Sequence, residues 1–249
     1  MDHEADVSGI LSQTVDVASG AGRAVAVYVL ALGLFSGIGG LLGLASMEDD
    51  MFSVGFNYDF MVGETAGFLG SLFEIAGLVL FVVASYFLLA QMMAAVGRPM
   101  RRGQRFWSFV GMSIFAMIGV MIGFVLLIIP AAILIVRWSA ANGFVLGGEH
   151  SVTQALGASW EATDGHGMSI FGAGLVLWIA LAVLSAVVVG VVAGVGLAGA
   201  GAAFSPLVAL AMAVSGFVEA FGNAVSFAFS IAVFHLVAPA DTAVADVFE

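Results

Sequence analysis

Cysteine is missing from this chain, lysine is missing too, and charged side chains make up only 9% of its 249 residues. Without cysteine there is no disulfide framework, no thiolate metal site and no thiol nucleophile. Six arginines stand against 17 acidic residues, for a net charge of −11. That balance excludes the basic face with which proteins neutralise nucleic-acid phosphates. The shortage of charge excludes more. A soluble domain carries roughly a quarter charged residues, and so few cannot coat a 25.5 kDa globule.

What is present instead is apolar side chain, 62% of the chain. Such an excess calls for a solvent other than water, and a bilayer supplies one. A spanning helix needs about 20 mainly apolar residues to cross roughly 30 Å of hydrocarbon. Six runs qualify, at 23–45, 66–96, 106–129, 130–147, 168–194 and 207–238. The expected fold is all-α, a polytopic transmembrane helix bundle. An acidic amino-terminal segment (1–22) would precede the membrane domain (23–238), and an acidic tail (239–249) would follow it. The first residues lack the positive region of a cleavable signal, so 23–45 reads as a retained span.

Breakers fall between the runs. Glu48, Asp49 and Asp50 end the first, Arg98-Pro99 the second, and Pro130 divides the third from the fourth. Gly194 to Gly201 reads as a loop, with Pro206 opening the last helix at its first position. Two shorter segments read as interfacial helices. In the first, Val7, Ile10, Leu11, Val15 and Ala18 recur at helical spacing. The second covers 151–163, where Ser151 and Gln154 make a capping box and Val152, Ala155, Leu156 and Trp160 line one side.

Arginine sets the expected orientation. Arg98, Arg101, Arg102 and Arg105 crowd one short loop, whereas the loop at 47–65 has five acidic residues and no basic one. The positive-inside rule places the Arg loop and both termini in the cytoplasm, with the chain in a bacterial inner membrane.

Three ionisable residues, Glu74, Arg137 and Glu219, interrupt the apolar runs. A lone charge in hydrocarbon costs about 2.5 to 3.5 kcal/mol on insertion scales, so such groups face the interior and pair. Counted along straight spans they enter from the outer side, at depths of roughly 10 to 18 Å. This makes them a candidate intramembrane cluster, with Arg137 pairing one or both carboxylates. The cluster would either fix helix register or form a polar site for a headgroup, ion or proton. Asn223, four residues after Glu219, is expected on the same face. His150, His166 and His235 show no metal-ligand spacing, so no metal or cofactor is expected. Gly33/Gly37, Gly39/Gly43, Gly119/Gly123 and Gly190/Gly194 fit small-xxx-small packing, within one bundle rather than in a dedicated dimer.

The stretch at 128–171 has a further pattern. It runs Ile-Ile-Pro, Val136-Arg137-Trp138-Ser139, Gly148-Glu149, Ala155-Leu156 and Ser159-Trp160, and ends at a glycine before another span. This resembles the membrane domain of some glycerophosphoryl diester phosphodiesterases and of related stand-alone bacterial inner-membrane proteins. The resemblance marks Arg137, Trp138, Glu149 and Ser159 as family-typical positions and implies no role for them. Phosphodiesterase chemistry in that family belongs to a separate (β/α)₈ barrel of roughly 200 or more residues, for which this chain has no room. The chain departs from the pattern at Asn142-Gly143, where a helix-ending proline is common.

The expected function is therefore a non-enzymatic membrane scaffold or a lipid- or partner-binding component, its partners membrane lipids and not nucleic acid. Homo-oligomerisation is left open. One alternative is a small transporter or channel using the Glu/Arg cluster. The other is a membrane enzyme drawing on Glu149, His150, Ser159, Asp164 and His166, which are close in sequence but unpatterned.

Overall fold

The computed structural model describes residues 5–42, 44, 67–100, 105–126, 128–147, 150–198 and 206–238. Their regular parts are α1 (Val7–Gly20), α2 (Gly22–Leu42), α3 (Gly67–Ala95), α4 (Phe106–Leu126), α5 (Ile128–Arg137), α6 (Ala141–Gly147), α7 (Val152–Ala162), α8 (Gly167–Ala198) and α9 (Pro206–Val237). No strand occurs among the described residues. Among the described residues six stretches are long and apolar enough to cross a membrane: Gly22–Leu42, Phe68–Ala95, Phe106–Val125, Ile129–Gly147, Gly167–Val188 and Leu210–Val237. The protein is thus an all-α, multi-pass helical chain, as its apolar runs indicate. The acidic loop, Arg101, Arg102, Glu149 and the tail from 239 lie outside the described residues.

Lipid rather than water suits this exterior. Trp107, Val125 and Met168 are 80%, 86% and 82% exposed, a pattern few water-facing proteins sustain.

Two boundaries differ from expectation. Helix α8 runs through Gly194 and Gly196 to Ala198, where a loop was expected. In hydrocarbon the backbone must satisfy its own donors and acceptors, which keeps glycine-rich sequence helical where water would let it open. The fourth span, expected as one helix, is two: α5 and α6, separated at Trp138–Ser139–Ala140.

The contacts divide the chain into two compact units. One comprises 1–17, 93–174 and 229–249. Within it α4 and α5 form a tight hairpin. A Cβ on Gly123 would lie 3.0 Å from the Ala131 Cα, and one on Gly119 would lie 2.5 Å from the Trp138 ring. The Gly119/Gly123 pair therefore serves packing inside the fold. Elsewhere in this unit Phe144 packs edge-on against Phe234 at 5.0 Å, and a Cβ on Gly143 would overlap the Phe234 ring. At the amino terminus the Asp6 carboxylate accepts from the Gly9 amide at 2.6 Å, capping α1. The face that α1 buries is Ile10, Thr14 and Val17, while Val15 is 65% exposed. The stripe expected through Val15 and Ala18 is thus rotated, because Thr14 satisfies its hydroxyl on the Ile10 carbonyl at 2.7 Å and can be buried.

The other unit comprises 18–92 and 175–228. Here α2 packs on α9. A Cβ on Gly33 would overlap Phe217, one on Gly216 would lie 2.6 Å from Ser36, and Ser36 Oγ donates to the Met212 carbonyl at 3.1 Å. Between α2 and α3, Phe35 stacks on Phe73 at 4.2 Å, and the hydroxyls of Tyr28 and Ser85 meet at 3.3 Å. Glu219 is exposed on α9 whereas Asn223 is buried, so the two straddle the edge of the packed face instead of sharing it. Glu74, on α3, is half-buried.

Candidate functional site

The break between α5 and α6 is where polar chemistry gathers. Trp138 N–H still donates to the Leu134 carbonyl at 2.8 Å, but Ser139 N–H turns to Val136, at 3.3 Å, and Ala141 N–H to Trp138, at 3.0 Å. This tightening from four-residue to three-residue spacing closes α5 and strands carbonyls that a continuous helix would fill. Side chains fill them instead. Ser159 Oγ donates to the Arg137 carbonyl at 2.7 Å, with Thr163 Oγ1 also there at 3.4 Å. Ser230 Oγ donates to the Ser139 carbonyl at 2.6 Å and accepts from Asn142 Nδ2 at 3.0 Å. Ser139 Oγ returns to the Val136 carbonyl at 2.7 Å.

Arg137 ends α5, where a cation complements the helix dipole. Its guanidinium donates to Asp164 Oδ1 at 2.9 Å and to the Trp160 carbonyl at 3.4 Å. It also lies 5.3 Å from the Trp160 ring centroid, within cation–π range. The pair is open to its surroundings, Arg137 at 23% and Asp164 at 78% side-chain exposure. Arg137 holds the Asp164 carboxyl below the usual carboxylate range, through its hydrogen bond first and its charge second.

Helix α7 presents these partners. Its amino terminus is set by Ser151, whose amide donates to Gln154 Oε1 at 2.8 Å, as the capping box predicts. Its buried stripe is Ala155, Leu156 and Ser159, continued by Thr163 in the turn. Trp160, expected on that stripe, is 41% exposed, and Ser159 takes its place. The reason is local: Ser159 reaches the Arg137 backbone while Trp160 flanks the Arg137 side chain. At the start of α7 the Arg105 guanidinium donates to the His150 carbonyl. His150 packs edge-on against Phe144 at 5.9 Å, and its Nδ1 is buried with no hydrogen-bond partner among the described residues.

Arg137 finds its carboxylate in Asp164, which counting depth along straight spans did not supply. Such counting puts Arg137 in the outer half of the membrane. The structure sets it beside the turn 163–166, whose Asp164, Gly165 and His166 are exposed, just ahead of α8. Glu74 and Glu219 belong to the other unit. Of the family-typical positions, Arg137, Trp138 and Ser159 converge on the break, and Glu149 lies outside the described residues. Asn142-Gly143 sits inside α6, Asn142 joining the hydroxyl relay and Gly143 admitting Phe234. Of the enzyme-like set, Ser159 is fully buried and donates to the Arg137 carbonyl, while Asp164 and His166 are exposed. No group of three metal-ligating side chains occurs among the described residues. Comparison of the chain with protein-family models, with curated proteins and with solved structures gave no match.

Proposed function

We propose that this protein is a non-enzymatic, lipid-binding component of a bacterial inner membrane, with both termini in the cytoplasm. The observation that carries the reading is the Arg137–Asp164–Trp160 group: an open ion pair flanked by an indole, where the amphipathic α7 gives way to the apolar α8. Arginine offers forked donors to phosphate, and tryptophan favours the boundary between headgroup and hydrocarbon. An open cation and carboxylate together suit a zwitterionic or anionic headgroup rather than a buried permeation path. Reading α8 as a span from Gly167 puts the turn 163–166, and the group with it, at a membrane boundary. The positive-inside asymmetry makes that boundary cytoplasmic. The likeness of 128–171 to the phosphodiesterase membrane domain supports the same picture, since its typical residues Arg137, Trp138 and Ser159 build the elbow that presents the group.

The test is lipid co-purification. Protein extracted in mild detergent should carry lipid classes in proportions that differ from the bulk membrane when analysed by mass spectrometry. Arg137→Gln should shift those proportions toward bulk. Bulk proportions in the wild-type protein would end the proposal.

A further inference from the structure

Between α2 and α3 runs an open groove of about 520 Å³, lined along most of its length by Val27, Tyr28, Ala84 and Phe87 among other apolar side chains. Its polarity is concentrated at one end. Arg23 stands in the first turn of α2 and Gln91 in the last turns of α3, so both belong to the same mouth. Neither makes a side-chain hydrogen bond or ion pair among the described residues, and both are exposed. The one polar group on the floor, the Tyr28 hydroxyl, is already engaged with Ser85 at 3.3 Å. Beyond the mouth the groove therefore offers only hydrocarbon contacts.

The lining extends from Arg23 to Ala31 on α2 and from Gln91 to Leu80 on α3. At the helical rise these stretches measure about 12 and 16 Å. Both helices are candidate spans, so the groove opens along the hydrocarbon while its mouth reaches the headgroup level. A molecule that fits must be amphiphilic, apolar for more than 10 Å or so and negative at one end.

We infer that this groove holds one acyl chain of an anionic phospholipid, its phosphate received by Arg23 with Gln91 beside it. The inference rests on the lipid-binding reading above and gives it a lipid class and a second, separate site. Charge complementarity selects the occupant: the mouth contributes the Arg23 guanidinium, which has no ion pair among the described residues, and no carboxylate is among the residues lining the groove. A polybasic leaflet contact is worth about 1 kcal/mol per arginine, or about fivefold in affinity.

The full-length protein would be placed in nanodiscs of phosphatidylcholine doped with phosphatidylglycerol, and bound lipid counted by native mass spectrometry after ejection. Wild type should retain phosphatidylglycerol over phosphatidylcholine. Arg23→Gln should weaken that preference about fivefold, and Arg23→Lys should restore it. Ala84→Trp, which fills the groove without touching the mouth, should abolish retention of both lipids at this site. Should Arg23→Gln and Ala84→Trp both retain phosphatidylglycerol as wild type does, the groove assignment is overturned, while lipid enrichment lost in Arg137→Gln would still support the reading it rests on. Loss with Ala84→Trp but not Arg23→Gln would overturn the anionic selection. A dimer that Ala84→Trp dissociates would assign the groove to a second copy of the chain and overturn the proposal.

Discussion

Ser159 lies 22 residues after Arg137, yet its hydroxyl donates to the Arg137 carbonyl at 2.7 Å. The arginine is thereby held at both ends, its backbone by Ser159 and its guanidinium by Asp164 at 2.9 Å. One helix, α7, carries the serine, and the turn that follows it carries the aspartate. The elbow in the fourth span and the exposed ion pair are therefore one piece of structure.

Ser159→Ala leaves the Arg137 carbonyl with only the longer contact from Thr163. A buried acceptor left short of its donor costs about 1 to 3 kcal/mol in water-soluble proteins, and interhelical hydrogen bonds in membranes average about 0.6 kcal/mol. Thermal unfolding in detergent is expected to show a loss of about 1 kcal/mol. Unchanged stability would mean that the hydroxyl does not bind the elbow.

Gly143→Ala drives a methyl into the Phe234 ring. Overpacking of this kind costs about 1 to 3 kcal/mol. Phe234→Leu opens the site, so the double variant should recover part of that loss. A double-mutant cycle in detergent measures the coupling, and additive losses would refute the contact.

Asp164 should make stability sensitive to acid. Its folded-state pKa is depressed by Arg137. The stabilisation is then complete above the unfolded value of about 3.9 and disappears as pH falls through the lower folded value. Wild type and Asp164→Asn should differ at neutral pH and converge only as pH falls below the unfolded value and through the depressed folded one. Because Asp164 is 78% exposed the difference is small, and added salt should shrink it further.

The absence of cysteine makes orientation directly testable. His166→Cys introduces a single exposed thiol in the turn before α8. A membrane-impermeant maleimide should label it in inverted vesicles and not in intact cells. Labelling in intact cells would reverse the proposed topology.

The helices were legible from sequence because hydrocarbon imposes one simple pattern. The expected 66–96 became Gly67–Ala95, and Pro206 opens α9 as its ring geometry favours. The elbow was not legible. Trp138-Ser139-Ala140 contains neither glycine nor proline, and its cause lies in hydroxyls from Ser159 and Ser230, 22 and 91 residues from the carbonyls they reach. Arg137 was recognisable as a charge needing a partner. Which carboxylate it would meet depended on where α5 stopped, and Ser139, one hydroxyl in an apolar run, was the only local hint. The α1 face was misplaced for a related reason: Thr14 reads as polar but is buried once its hydroxyl bonds the preceding turn.

Carbonyls freed at the elbow are filled by three serines and a threonine, without calling on any hinge residue. A proline kink owes its angle to a ring clash and survives wherever the ring goes. This bend is instead a latch: straightening α5 into α6 would require releasing Ser159 and Ser230 together. The two short helices should consequently travel as one bracket, so that a pull on Trp160 or Asp164 moves α6 along with α5.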